Sequence, residues 1–129
     1  MPLKVLVLDD DVQFLNLTEA YLEDKGFEVS AYLQVPRPML EKVAEYCPLG
    51  DPIYDLILVD NDMPDMKGIE FLEYIQKKGC KISNTRKAIL SGCLSSDERN
   101  RAKELGVKVF DKPCSLDVLD KWIETALNG

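Results

Sequence analysis

Five short runs rich in apolar and β-forming residues alternate with segments of helical periodicity, and this alternation constrains the fold more than any other feature. Lys4–Leu8 (KVLVL) and Leu56–Val59 (LILV) are almost wholly apolar, as strands covered on both faces must be. Phe27–Tyr32 (FEVSAY) alternates and predicts a half-exposed strand, and Ala88–Leu90 and Val107–Phe110 supply the fourth and fifth. Between them, Phe14, Leu15, Leu17, Tyr21 and Leu22 form a helical stripe stopped by Gly26. Pro36 and Pro38 suit the first turn of a second helix continuing through Met39, Leu40, Val43 and Ala44. Ile69, Leu72 and Ile75 mark a third helix closed near Gly79. A fourth is capped by Ser95 or Ser96 and ends at Gly106. Ser115 caps the last, with Leu119, Trp122, Ile123 and Ala126 inward. Strict alternation predicts a parallel sheet with helices on both faces, joined by right-handed crossovers. At 129 residues the expectation is one domain over 1–129, with no output domain in this chain.

Composition narrows the chemistry. The chain has no histidine, which excludes Ser-His-Asp and Cys-His catalysis and His-ligated zinc. Cys47, Cys80, Cys93 and Cys114 form no CxxC pair and read as reduced thiols, used partly as small core residues. A net charge of −7 opposes binding to nucleic acid. No run approaches the roughly 20 apolar residues of a membrane span, and the first residues lack a secretory core. The expected location is cytoplasmic, with neither nucleic acid nor membrane as a partner.

In a doubly wound sheet, ligands collect at the carboxyl ends of the strands. Strand one ends in Asp9-Asp10-Asp11 and strand three in Asp60, followed by Asn61-Asp62-Met63-Pro64. Strand four ends in Ser91-Gly92, and strand five in Asp111-Lys112-Pro113. Singly, each has a plain structural reading: helix N-cap, turn residue or surface charge. Together they bring carboxylates, a hydroxyl and an ammonium to one crevice. Carboxylates a few ångströms apart repel by roughly 1–4 kcal/mol per pair, which a cation relieves. An all-oxygen set suits Mg²⁺, which also accepts phosphate oxygens. The chemistry such an array supports is phosphoryl transfer, with Asp60 as nucleophile, Lys112 as a point charge and Ser91 as a hydrogen-bond donor.

These residues resemble, from end to end, the receiver domain of bacterial two-component response regulators. VLVLDDD (Val5–Asp11) is similar to the family's first strand and acidic pair, and LILVDNDMPDMKGIEFL (Leu56–Leu72) to its phosphoacceptor segment. AILSG (Ala88–Gly92) and DKPCS (Asp111–Ser115) match the Ser/Thr-bearing strand and the Lys-Pro step. The resemblance implies a flavodoxin-like, three-layer α/β/α fold with strand order 2-1-3-4-5. It implies Asp60 as phosphoacceptor, Ser91 and Lys112 as its partners, and a cis Lys112-Pro113 bond. It further implies Mg²⁺ held by Asp10, Asp60 and the backbone carbonyl of Asp62, with Asp9 acting through water. The implied donor is a sensor histidine kinase, a histidine phosphotransfer protein or a small acyl phosphate. Output passes to a downstream protein target whose identity is unknown.

Some features depart from that pattern. Asp62, two residues after the acceptor, could order an attacking water or repel the phosphoryl group, and Cys93 would leave access open. The family's aromatic switch position, three before the lysine, is Val109 here, with Phe110 beside it. Either Phe110 takes that role in a shifted register or the aromatic switch is missing, because a one-residue slip reverses the face. The stretch Cys47–Asp55 looks longer than usual, and Lys81–Arg86 makes a roomy approach to the fourth strand. Two other readings compete. Asp60-Asn61-Asp62 also spells the DxD of haloacid-dehalogenase-type phosphatases, with Asp62 as general acid. The other is an interaction module that keeps the fold without phosphate signalling; the intact set of Asp10, Asp60, Ser91 and Lys112 speaks against it.

Overall fold

The computed structural model describes residues 3–41 and 54–128, without the side chains of Pro38 and Glu41. Its five strands are β1 (Lys4–Leu8), β2 (Glu28–Tyr32), β3 (Leu56–Asp60), β4 (Lys87–Ser91) and β5 (Lys108–Asp111). They form one parallel sheet in the order β2-β1-β3-β4-β5, as expected. The helices are α1 (Val12–Asp24), α2 (Arg37–Glu41), α3 (Gly68–Lys77), α4 (Ser96–Leu105) and α5 (Leu116–Asn128). A short 3₁₀ turn, Asn84–Arg86, leads into β4 and occupies part of the roomy approach noted in the sequence. The continuation of the second helix at Val43 and Ala44, and most of the Cys47–Asp55 stretch, lie outside the described residues.

Alternate strand residues feed two apolar cores, one on each side of the sheet. Leu6, Leu8, Ile57, Val59 and Ile89 pack with Met39 of α2, Ile69, Phe71, Leu72 and Ile75 of α3, and Ala102 of α4. Val5, Val7, Leu56, Leu58, Ala88 and Leu90 pack with Leu15 and Leu22 of α1 and Leu119, Ile123 and Ala126 of α5. This three-layer packing explains why KVLVL and LILV carry almost no polar residue. Gly106 ends α4 at φ 81°, a backbone region that a side chain disfavours.

The alternation also decides the question left open at β5. Phe110 belongs to the α1/α5 core, where its ring meets Trp122 edge-on at 5.9 Å. Val109 packs on the opposite core, beside α3 and α4. Pairing of Leu90 with Phe110 and Ile89 with Val109 holds that register, so Phe110 does not face α4. An aliphatic side chain stands where the family carries its aromatic.

Thr18, in the middle of α1, is fully buried and its hydroxyl finds no hydrogen-bond partner among the described residues. Thr18→Val is therefore expected to raise stability by about 1 kcal/mol, since it removes an unsatisfied buried hydroxyl. Urea denaturation checks this, and a loss of stability contradicts it. Among the described residues no helix is long and apolar enough to cross a membrane.

Candidate functional site

The site is assembled by strand register. Leu8 of β1 lies opposite Val59 of β3, so the next residues, Asp9 and Asp60, meet at the carboxyl edge of the two central strands. Both are buried, Asp9 at 1% and Asp60 at 0% exposure, whereas Asp10 is exposed. A carboxylate oxygen from each of Asp9, Asp10 and Asp60 falls within 4.8 Å of the others. Asp11 does not join them. It caps α1, its Oδ1 accepting from the backbone N–H groups of Gln13 at 3.0 Å and Phe14 at 3.2 Å.

Lys112 enters from beyond β5. The Lys112-Pro113 bond is cis, and the Lys112 backbone N–H donates to the Ser91 carbonyl at 2.9 Å. Its ammonium lies 3.2 Å from Asp60 Oδ1 and 3.3 Å from Asp9 Oδ2, above the ring of Phe14. Backbone amides hold the carboxylates from below: Asp11 N–H donates to Asp9 Oδ1 at 2.9 Å and Asp62 N–H to Asp60 Oδ1 at 3.1 Å.

The electrostatics are those of crowded acids. Burial, reinforced by the Asp60 charge, pushes the Asp9 carboxyl up to about 6 against the pull of the Asp11 amide and Lys112. Asp10 is raised too, first by hydrogen bonding with Asp60 and then by burial. Burial opposes the charge on Lys112, but the attraction of Asp9 and Asp60 outweighs it and holds its pKa above the ordinary lysine value. One ammonium does not neutralise three carboxylates. Among the described residues, Asp9 Oδ2 and Asp60 Oδ2 are shielded from solvent and accept no hydrogen bond; Asp9 Oδ2 faces the Lys112 ammonium, whereas Asp60 Oδ2 lacks an ion-pair partner as well. An orphaned buried oxygen in a crowded all-carboxylate set, with no thiolate or imidazole in it, fits a hard divalent cation.

Ser91, fully buried at the end of β4, joins the same crevice. Its hydroxyl donates to Asp62 Oδ2 at 3.3 Å and accepts from the Cys93 amide at 3.1 Å. The Asp62 side chain thus leans toward Ser91 and Gly92, whose N–H reaches it at 3.4 Å. Gly68, at the start of α3, presses against the site from the far side. A Cβ there would stand 2.7 Å from the Asp60 carbonyl oxygen, so only glycine allows this approach.

Two residues that sequence reasoning passed over lie beside this crevice. Asn61 and Glu98 are both buried and joined by a 2.8 Å hydrogen bond. The Ser95–Glu98 spacing is that of a capping box, the signal that could have drawn attention to Glu98. Nothing in the sequence marked Asn61 as its partner, because the two meet only across the α3–α4 side of the sheet.

Fold and site together define an open, doubly wound α/β protein with a cation-adapted acidic crevice at the carboxyl edge of its sheet. The family model described as response regulator receiver domain matches residues 5–124, and the chain belongs to that family. It is thus a receiver domain of the two-component response regulators. The transcriptional regulatory protein FlgR of Helicobacter pylori is 29% identical over 119 residues, covering 91% of this chain and 28% of that protein. A CheY-like response regulator receiver domain protein from Methanospirillum hungatei superposes with a TM-score of 0.76 at 25% identity, covering 99% of this chain and 96% of that one. Vibrio cholerae chemotaxis protein CheY4 gives 0.77 at 25% identity, covering 98% and 99%. The chain spans 28% of the length of the first curated relatives it matches. The dehalogenase-type phosphatase reading finds no support. The DxD sits on the third strand, and the carboxylate meant as general acid is engaged by Ser91 and Gly92.

Proposed function

We propose that Asp60 is the phosphoacceptor of this receiver and that its loading switches a protein-binding surface. The observation that carries the reading is a fully buried carboxylate with one oxygen held by Lys112 and the Asp62 amide, and the other accepting no hydrogen bond among the described residues. An Asp60 oxygen attacks the phosphorus of the donor. The P–N bond of a phosphohistidine, or the P–O bond of an acyl phosphate, breaks, and its electrons leave with the imidazole or carboxylate. A donor imidazole lies outside residues 1–129, which contain no histidine, and in this reading belongs to a sensor histidine kinase or histidine phosphotransfer protein.

Asp10, Asp60 and the Asp62 carbonyl hold Mg²⁺ in this reading, with Asp9 acting through water. When bound, the ion neutralises charge developing on the phosphoryl oxygens. Lys112 supplies a fixed positive charge at the acceptor, and the Ser91 hydroxyl exchanges Asp62 for a phosphoryl oxygen. Asp62 therefore competes with the phosphoryl group for Ser91, a role closer to repulsion than to water activation. Residues 1–129 act as a single receiver unit in the cytoplasm. The reaction is self-catalysed acylphosphate formation and loss, and a downstream protein reads the loaded state by population shift.

Incubation with acetyl phosphate and Mg²⁺ followed by intact mass measurement tests this. The expected result is a gain of about 80 Da, one phosphoryl group, absent in Asp60→Asn and in EDTA. An unchanged mass in the wild type, or an equal gain in Asp60→Asn, overturns it.

A further inference from the structure

The peptide that follows Asp60 is tied to a second helix by a buried polar cluster distinct from the acidic crevice. The Asn61 side chain is used at both ends: Nδ2 donates to Glu98 Oε2 at 2.8 Å, and Oδ1 accepts from the Ile69 N–H at 2.9 Å. Glu98 sits in the first turn of α4. Its Oε1 accepts from the Ser95 N–H at 3.0 Å while the Ser95 hydroxyl accepts from the Glu98 N–H at 3.1 Å, closing the α4 cap. Lys67, just before α3, brings its ammonium to 3.2 Å from Glu98 Oε2. Asn61 is 1% exposed and Glu98 7%, so this carboxylate depends on these donors in place of water.

We propose that Asn61 and Glu98 are the positioning residues through which a change at Asp60 reaches α4, a buried amide–carboxylate link one peptide unit from the acceptor. The inference rests on the reading of Asp60 as phosphoacceptor. Three features support it. The route is short and continuous: Asp60, Asn61, Glu98, then Ser95 at the head of α4. It is stiff, because turning the Asn61 amide breaks its bonds to Glu98 and to Ile69 together and leaves the buried Glu98 carboxylate one donor short. Such an all-or-none contact transmits displacement rather than absorbing it. And an aromatic route through β5 is not built here, since Phe110 lies in the opposite core and Val109 faces α3 and α4. The donors around Glu98, Asn61 foremost, hold its carboxyl down to about 2, so the link stays charged at neutral pH. A second contact between α3 and α4, the paired hydrogen bonds of Arg101 to Glu73, touches none of these residues and provides a built-in control.

Hydrogen exchange read by mass spectrometry over residues 95–105, with and without acetyl phosphate and Mg²⁺, tests the link. In wild type, phosphorylation is expected to change exchange in the first turns of α4 by roughly threefold or more. Glu98→Gln keeps a residue suited to the capping box and removes the charge. It should still gain the phosphoryl mass, exchange faster before phosphorylation, and lose most of the phosphorylation-dependent change. Asn61→Leu should do the same without touching the cap. Glu73→Gln should loosen the helix pair yet keep the response, which separates transmission from simple destabilisation. Wild-type responses in phosphorylated Glu98→Gln and Asn61→Leu overturn the link alone, as does an equal loss in Glu73→Gln. An absent mass gain in the wild type overturns the phosphoacceptor reading, and the link with it.

Discussion

Without metal at pH 7.5, Asp9→Asn should be more stable than the wild type by about 2 kcal/mol. Asp9 is buried beside Asp60, and its carboxyl is pushed up from 3.8 to about 6, chiefly by burial. A raised folded-state pKa means the native protein holds the proton more tightly than the unfolded chain does. That contribution is complete below about pH 4 and is lost as pH rises through 6. At one pKa unit per 1.36 kcal/mol the ceiling is about 3 kcal/mol, and the Lys112 contact, lost in the variant, trims it. Asparagine keeps an oxygen for the Asp11 amide and drops only the charge. The advantage should therefore shrink on acidification and be nearly gone at pH 4. In millimolar Mg²⁺ the order should reverse, because wild type gains binding energy that the variant lacks. Urea titrations at pH 4.5 and 7.5, in EDTA and in Mg²⁺, measure all of this. A variant less stable than wild type in EDTA at pH 7.5 refutes the account of crowded acids.

Gly68→Ala should cut the rate of phosphorylation by acetyl phosphate tenfold or more and cost about 2 kcal/mol of stability. The new methyl would meet the Asp60 carbonyl oxygen at 2.7 Å and the Asp60 carbonyl carbon at 3.1 Å. Both are backbone atoms of a central strand and cannot rotate away, so β3 and α3 must separate. Overpacking against a fixed partner costs about 1–3 kcal/mol, and a shift approaching 1 Å at a reacting group can cost roughly a hundredfold in rate. Single-turnover mass spectrometry with a parallel denaturation curve checks both parts. A variant that phosphorylates at the wild-type rate shows that the close approach does not position Asp60.

Much of the fold was legible because parallel strands buried on both faces leave an unmistakable record. KVLVL and LILV admit almost no polar residue, and Ser95, Gly106 and Ser115 mark helix ends by local backbone chemistry. Strand ends are local as well, so Asp9, Asp10, Asp60, Ser91 and Lys112 could be named as a set before their distances were known. The acidic pair falls on Asp9 and Asp10 and leaves Asp11 as a solvated or capping residue; which of these two it is required the structure, where it caps α1. The same holds for Asp62, whose lean toward Ser91 is a side-chain choice between neighbouring loops.

Sequence by itself thus determined what is periodic or local: the alternation of strands and helices, their caps, and the chemistry waiting at each strand end. Tertiary structure alone decided what depends on which face a residue takes and which distant segment it meets. Phe110 entered the α1/α5 core because the β4–β5 register assigns faces two residues at a time, a choice a run such as VKVF does not reveal. Asn61 found Glu98 across 37 positions of chain, a contact with no local signature, because packing α3 and α4 on the same side of the sheet leaves each the other's nearest polar partner.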